Sequence, residues 1–181
     1  MYAGLEWAEL GFAVVDPTLH DGMARKLKVK KSPSTSNVLA VLKKSPPEDE
    51  ATARRWFDIL SGHVSGRMFY PYLFRYILNL SRCLVDFSPA ERRQLQEIPF
   101  VPVKSTGEKS VIKRLQPIHC FLGKASSELH SKLFVFVDFG AHANVFLGAC
   151  GSRQEPSVED IAHILITEPR RVYELANGRE K

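Results

Sequence analysis

Asp138-Phe139-Gly140 is the group of residues in this chain that most resembles a chemical site. In protein kinases this triplet holds the magnesium ion of ATP, but it acts together with a glycine-rich loop, a strand lysine and an HRD sequence that this chain lacks. A D-x-G sequence also occurs in the ATP site of chaperone-type ATPases, where a small residue is needed at the position of His142. We therefore interpret Asp138 as a strand-end residue whose carboxylate caps a helix beginning near Ala141.

The cysteines and histidines do not form a recognisable site. Cys83, Cys120 and Cys150 are odd in number and contain no CxxC pair, which argues against both a disulfide framework and a zinc site. His119 and Cys120 are neighbours on a predicted strand and should point to opposite faces. The six histidines occur singly, without the i, i+4 spacing of a helical metal site. We therefore predict no catalytic, metal-binding or cofactor-binding residue.

A basic stretch between residues 25 and 44 could contact phosphates. It carries seven cationic residues and no acidic one: Arg25, Lys26, Lys28, Lys30, Lys31, Lys43 and Lys44. Such a run is more often a solvated loop and helix face, and this one has no interleaved aromatic residues on which bases could stack.

The composition is that of a globular protein, with 181 residues, 44% hydrophobic content, 25% charged content and a net charge of +5. The mild basicity permits nucleic-acid binding without requiring it. No apolar run approaches the roughly 18 residues that a membrane span needs. Without a signal peptide or lipidation motif, we expect an intracellular protein, in either cytoplasm or nucleus.

The elements around these residues form two related units of strand, helix and helix. The first unit is a weaker version of the second, displaced by 122 to 123 positions. The matching pairs are Phe12–Asp16 with Phe134–Asp138, Met23 with Phe146, Pro33-Ser34 with Pro156-Ser157, Val38 with Ile161, Leu42 with Leu165, and Pro46 with Pro169. This shared order predicts an internal repeat.

Capping residues predict where the helices begin. Thr18 should start a helix that runs to about Leu27, and Ser34 should start the next one. Ser45 should cap a third helix that stops at Gly62. Ser88 and Ser157 should cap two more, beginning at Pro89 and Val158. Residues 2–11 resemble the last turns of a further helix.

Between the units, residues 100–103 and 110–115 predict a β-hairpin, and residues 118–122 a third short strand. The predicted fold class is α+β and helix-rich, with the two units joined by this antiparallel element. We further expect Phe134, Phe136, Phe146 and Leu165 to share one core, because the first two face the same side of a strand and the others lie on apolar helix stripes.

Gly66–Val85 differs in composition from its surroundings. It contains five aromatic residues, three arginines and no acidic residue. We interpret it as an atypical insert, either genuine or an artefact of the gene model, between a first unit at residues 1–65 and a second region at residues 86–181 that contains a helix, the hairpin and the second unit.

Several motifs resemble those of a family of very long uncharacterised fungal proteins that is similar to sacsin and NO VEIN proteins. They are FVDFG at Phe136–Gly140, ACG at Ala149–Gly151, EPSVED at Glu155–Asp160 and EPRRVYELA at Glu168–Ala176. The resemblance covers roughly residues 5–62 and 86–178. It implies that the chain is a fragment of a larger protein with a heat-shock-chaperone-like, histidine-kinase-type ATPase domain elsewhere. The family is expected to lack Gly66–Val85.

Together these features favour a non-catalytic scaffold or interaction module whose partner is a protein, either another domain of the parent chain or a client. One alternative is a basic nucleic-acid-binding module that uses the cationic stretch between residues 25 and 44. Another is a segment that regulates an adjoining ATPase domain.

Overall fold

The computed structural model describes residues 1–16, 18–19, 21–64, 87–104 and 112–176. These residues form a helix-rich α+β fold with small two-stranded sheets, as predicted. The helices are α1 (Asp21–Lys26), α2 (Thr35–Lys44), α3 (Glu50–Val64), α4 (Pro89–Glu97), α5 (Glu128–Leu133), α6 (Ala141–Ala149), α7 (Val158–Thr167) and α8 (Pro169–Ala176). The strands are β1 (Val101–Lys104), β2 (Ile112–Leu115), β3 (Cys120–Leu122) and β4 (Val135–Val137).

The core is built around the packing of α3 against α6. Phe57 of α3 stacks on Phe146 of α6 with ring centroids 5.7 Å apart. Phe100 and Phe139 meet the Phe57 ring edge-on at 5.7 and 5.2 Å. These four aromatic side chains are buried in one continuous hydrophobic cluster with Leu42 of α2. The two regions that the sequence analysis separates therefore share a core.

The strands make two separate pairs. β1 and β2 are antiparallel, with Val101 opposite Leu115 and Lys104 opposite Ile112, which confirms the strand pairing of the predicted hairpin. Residues 105–111 between them lie outside the described residues. β3 and β4 pair in parallel, with Phe121 opposite Phe136. Ile118, predicted to begin the third strand, lies instead in a 3-10 turn at Pro117–His119.

The beginning of the chain differs from the prediction. Residues 5–8 form a 3-10 helix, and Tyr2 bridges to both Val14 and Lys30. Residues 12–16 were predicted to form a strand, and the pairing that the described structure shows there is this isolated β-bridge at Val14. Its backbone is held by hydrogen bonds from Tyr2 N to Ala13 O and from Val15 N to Tyr2 O, both 3.0 Å long. A short extended segment braced by Tyr2 therefore replaces the predicted strand.

Two predicted helix starts were too early. Thr18 donates to the Asp16 carboxylate in a local turn, and α1 begins only at Asp21. α3 begins at Glu50, after Asp49 accepts a 2.8 Å bond from the Thr52 backbone N–H. The physical reason is that a residue preceding proline avoids helical backbone angles, so Pro46 before Pro47 cannot open a helix at Ser45. α3 also continues through Gly62 to Val64, beyond its predicted end.

Three of the predicted serine caps are confirmed. Ser34 accepts a bond from the backbone N–H of Asn37, and Ser88 and Ser157 each form a reciprocal capping box. The helix after Ser88 ends at Glu97, as expected for a helix followed by Pro99.

Candidate functional site

Asp138 lies in a tight turn between β4 and α6. Its Oδ1 accepts hydrogen bonds from the Gly140 backbone at 3.0 Å and from the Asn144 amide at 2.9 Å. Gly140 has a φ of 96° and is itself the N-cap of α6, which has no side-chain cap. The prediction that Asp138 caps this helix was therefore wrong, because its carboxylate is used one residue earlier, at the turn.

The charge state of Asp138 follows from the same contacts. The Gly140 N–H bond, then the Asn144 bond, hold the pKa of this carboxyl below its usual range. Asn144 also accepts the Phe139 backbone N–H at 3.1 Å, so the amide joins both sides of the turn. Within the described residues, no group of three His, Cys, Asp or Glu side chains is placed to hold a metal ion. We conclude that this triplet shapes a turn.

Cys120 and Cys150 are both completely buried. The Cys120 thiol donates to the Gln116 carbonyl at 3.5 Å. Its burial raises its pKa to about 12, and because the thiolate is the reactive form, this thiol is a poor nucleophile near neutral pH. His119 is exposed, so the two neighbours do point apart. Both cysteines act as small hydrophobic core residues.

The seven cationic residues of the basic stretch are all exposed. None of them makes an ion pair with another residue that the structure describes. Five lie on α1 and the loop before α2, whereas Lys43 and Lys44 end α2. A ten-residue helix is about 15 Å long, so α2 separates the seven into two groups. Lys43 lines a cleft of about 530 Å³ with Glu97 and Arg114.

α7 carries the two most exposed large apolar side chains among the described residues. Val158 is 78% exposed, Leu165 50% and Ile166 79%. With half-buried Ala162 they occupy positions i, i+4, i+7 and i+8, which fall on one side of a helix. We call these four residues the α7 stripe. α7 contains no buried residue, and Ile161 and Ile164 beside the stripe are half-buried.

The other side of α7 is held in place by polar contacts. Ser157 and Asp160 close the capping box, with Ser157 N donating to Asp160 at 2.7 Å. Arg153 also reaches Asp160 at 2.6 Å. Burial alone would raise the pKa of Asp160, but the hydrogen bonds from Arg153 and Ser157 outweigh it and lower that pKa. The carboxylate therefore stays charged and anchors the start of α7.

Arg153 links this helix to the strands. Its carbonyl accepts from Leu122 N at 2.8 Å, and its guanidinium lies 5.6 Å from the centre of the Phe121 ring. Phe121 also packs against Phe134 and Phe136. The α7 stripe is therefore presented by a braced helix and not by a loose segment.

The predicted common core of Phe134, Phe136, Phe146 and Leu165 was wrong. Phe146 lies in the main core, while Phe134 and Phe136 pack around Phe121, which lies outside that cluster. Leu165 is on the exposed stripe. This surface was not predictable from the sequence, because an apolar stripe has the same spacing whether or not another element covers it.

Among the helices that the structure describes, none has the length and apolar character to cross a bilayer. Gly66–Val85 falls outside the described residues. Its interpretation as an insert can be compared only with the family match.

A family model described as "Protein of unknown function (DUF3684)" matches residues 1–68 and 72–181. Only residues 69–71 fall between the two ranges, so most of Gly66–Val85 lies inside the match. Its interpretation as an insert stays a prediction. No curated protein and no solved structure matches the chain.

Proposed function

The chain belongs to a protein family of unknown function, and from that premise we propose that it is a non-catalytic interaction module of a larger, chaperone-like protein that contains an ATPase domain. Its partner is another segment of that larger protein, and its binding surface is the α7 stripe. The larger protein is inferred from the resemblance of FVDFG, EPSVED and EPRRVYELA to sacsin-like and NO VEIN-like sequences.

One observation carries the proposal: three large aliphatic side chains are exposed side by side on a helix that is firmly anchored on its other side. Burying one Val, Leu or Ile side chain fully is worth about 1.5–3 kcal/mol. Scattered exposed apolar residues are normal on proteins, but a contiguous row marks an interaction surface. Because α7 is already a formed and anchored helix, less conformational entropy is lost when a partner binds to it.

The surroundings of the side chains that could take part in a reaction support a binding role over a catalytic one. Asp138 is used in a turn, and the thiol of Cys120 is buried with a raised pKa. A binding module needs neither an activated nucleophile nor a paired acid and base, whereas it does need an accessible apolar centre.

The test is co-purification with the remainder of the larger protein, expressed as a separate polypeptide. Leu165→Glu and Ile166→Glu would each place a charge at the centre of the contact and should abolish co-purification. Thr167→Glu is the matched control, because Thr167 is an exposed residue of the same helix that lies about 180° around the helix from Val158. We expect the control to co-purify as well as the native chain.

The proposal fails if the stripe variants co-purify as well as the control, or if the native chain does not associate with the remainder at all. The thermal midpoint of each variant should be recorded, because a glutamate at these exposed positions should leave the fold intact.

A further inference from the structure

The α7 stripe can be compared with a covered version of the same pattern on α2. Counting 123 positions back, Val158, Ala162, Leu165 and Ile166 correspond to Thr35, Leu39, Leu42 and Lys43, of which the two leucines are the buried apolar pair. Both helices follow a Pro-Ser pair, and both begin one residue after the serine. Leu39 and Leu42 are buried, whereas Leu165 is half exposed.

α4 is the element that packs along α2. The Thr35 hydroxyl donates to Glu91 of α4 at 2.9 Å, which fixes α4 over the beginning of the α2 stripe. Leu95 and Ile98, at the other end of α4, are buried in the cluster that contains Leu39 and Leu42. α4 thus covers α2 with one polar contact followed by apolar ones.

We propose that the α7 stripe binds a short amphipathic helix related to α4, supplied by the larger protein; this inference rests on the proposed interaction role. The interface between α2 and α4 is the precedent within this chain: α2 and α7 share a Pro-Ser start and apolar residues at two corresponding positions, and on α2 a short helix packs along them.

Three positions differ between the two stripes and refine the ligand. Ala162 stands where α2 has the larger Leu39, and Ile166 stands where α2 has the exposed Lys43, so the ligand needs apolar residues that reach further along α7 than α4 reaches along α2. Val158 stands where α2 has Thr35, so α7 offers no hydroxyl to a carboxylate at the position of Glu91. A glutamate there would lose its water without gaining a partner. The ligand helix should therefore carry an aliphatic residue at that position, while keeping the apolar residues that correspond to Leu95 and Ile98.

The probe is a synthetic peptide with the sequence of residues 87–100 and the change Glu91→Leu. It is titrated into the isotope-labelled full chain, and NMR chemical shifts are followed to about 1 mM peptide, which detects weak binding. A peptide this short is only marginally helical alone, so micromolar to millimolar affinity is expected. Saturable shifts should appear on α7.

Three matched comparisons decide the result. The same peptide with Leu95→Glu should bind about tenfold more weakly or not at all, because it places a charge against the stripe. The chain variant Leu165→Glu should show the same loss. The chain variant Thr167→Glu, on the opposite side of α7, should bind like the native chain.

Absence of shifts on α7, or binding that Leu165→Glu leaves unchanged, would overturn this choice of ligand. Shifts confined to α2 would mean that the peptide only displaces α4, and they would also overturn it. If co-purification still depends on Leu165 in that case, the interaction role stands and only the ligand is wrong. If co-purification is itself independent of the stripe, the interaction role fails separately.

Discussion

α2 and α7 begin with the same local chemistry and have opposite surroundings. A serine caps each helix, and an apolar stripe runs along each. On α2 the stripe lies under α4, and Leu42 is completely buried; on α7 the corresponding Leu165 is half exposed. The stripe therefore specifies a helix with one hydrophobic side, and whether that side is core or surface depends on whether a separate element covers it.

α1 and α6 also differ in burial, but here the helix of the second unit is the buried one. Met23 corresponds to Phe146 and Leu27 to Cys150. Phe146 of α6 and Cys150, which follows it as the C-cap, are completely buried, and Phe57 of α3 stacks on Phe146, whereas Met23 is 60% exposed on α1. In the first unit the second helix is therefore covered, by α4 of the second region, and in the second unit the first helix is covered, by α3 of the first region.

The largest expected effect comes from Phe146→Ala. It removes a fully buried ring that stacks on Phe57, and the resulting cavity should lower the free energy of unfolding by about 3–5 kcal/mol. Met23→Ala, at the matching exposed position, should change it by less than about 0.5 kcal/mol. Urea denaturation of both variants measures the difference, and equal losses would refute the contrast between α6 and α1.

Leu42→Ala and Leu165→Ala test the contrast between the two stripes. Leu42 is fully buried under α4, so its truncation should cost about 2–5 kcal/mol. Leu165 retains half its exposure, so the same truncation should cost less than about 1 kcal/mol. The measurement is again the unfolding free energy of the isolated chain. A loss at Leu165 as large as that at Leu42 would show that the α7 stripe is already covered in solution.

The smallest difference within a pair of variants should come from the two capping serines. Ser157→Ala removes a cap that Asp160 reciprocates at 2.7 Å and should cost about 1 kcal/mol. Ser34 accepts a longer bond of 3.4 Å, and position 37 is Asn, so Ser34→Ala should cost about 0.5 kcal/mol. Thermal melting of the pair checks the order. An unchanged midpoint in Ser157→Ala would contradict the role of this cap.

The caps were predictable because their signal is local. A serine before a helix and an acidic residue three positions later satisfy each other's backbone groups within one turn, as Ser88 with Glu91 and Ser157 with Asp160 do. The error at Ser45 is also local, because Pro47 keeps Pro46 out of the helical backbone conformation.

The core was less predictable because its contacts are between distant parts of the chain. Phe57 meets Phe100, Phe139 and Phe146, and none of these distances follows from spacing in the sequence. Phe134 and Phe136 were expected beside Phe146, but parallel pairing of β4 with β3 places them around Phe121 instead. Strand alternation predicts that two residues share a face, but not which neighbour that face meets.

By itself, the sequence determined the helix-rich α+β class, the starts of α2, α4 and α7, the two strands of the antiparallel pair, and the placement of Cys120 and His119 on opposite sides. These features depend on backbone preferences and on hydrogen bonds between residues a few positions apart. Only the tertiary structure decided that α4 covers α2, that α3 covers α6, and that the α7 stripe is left exposed. Burial is a property of which elements meet in space, and an apolar stripe has the same sequence whether it meets another helix or water.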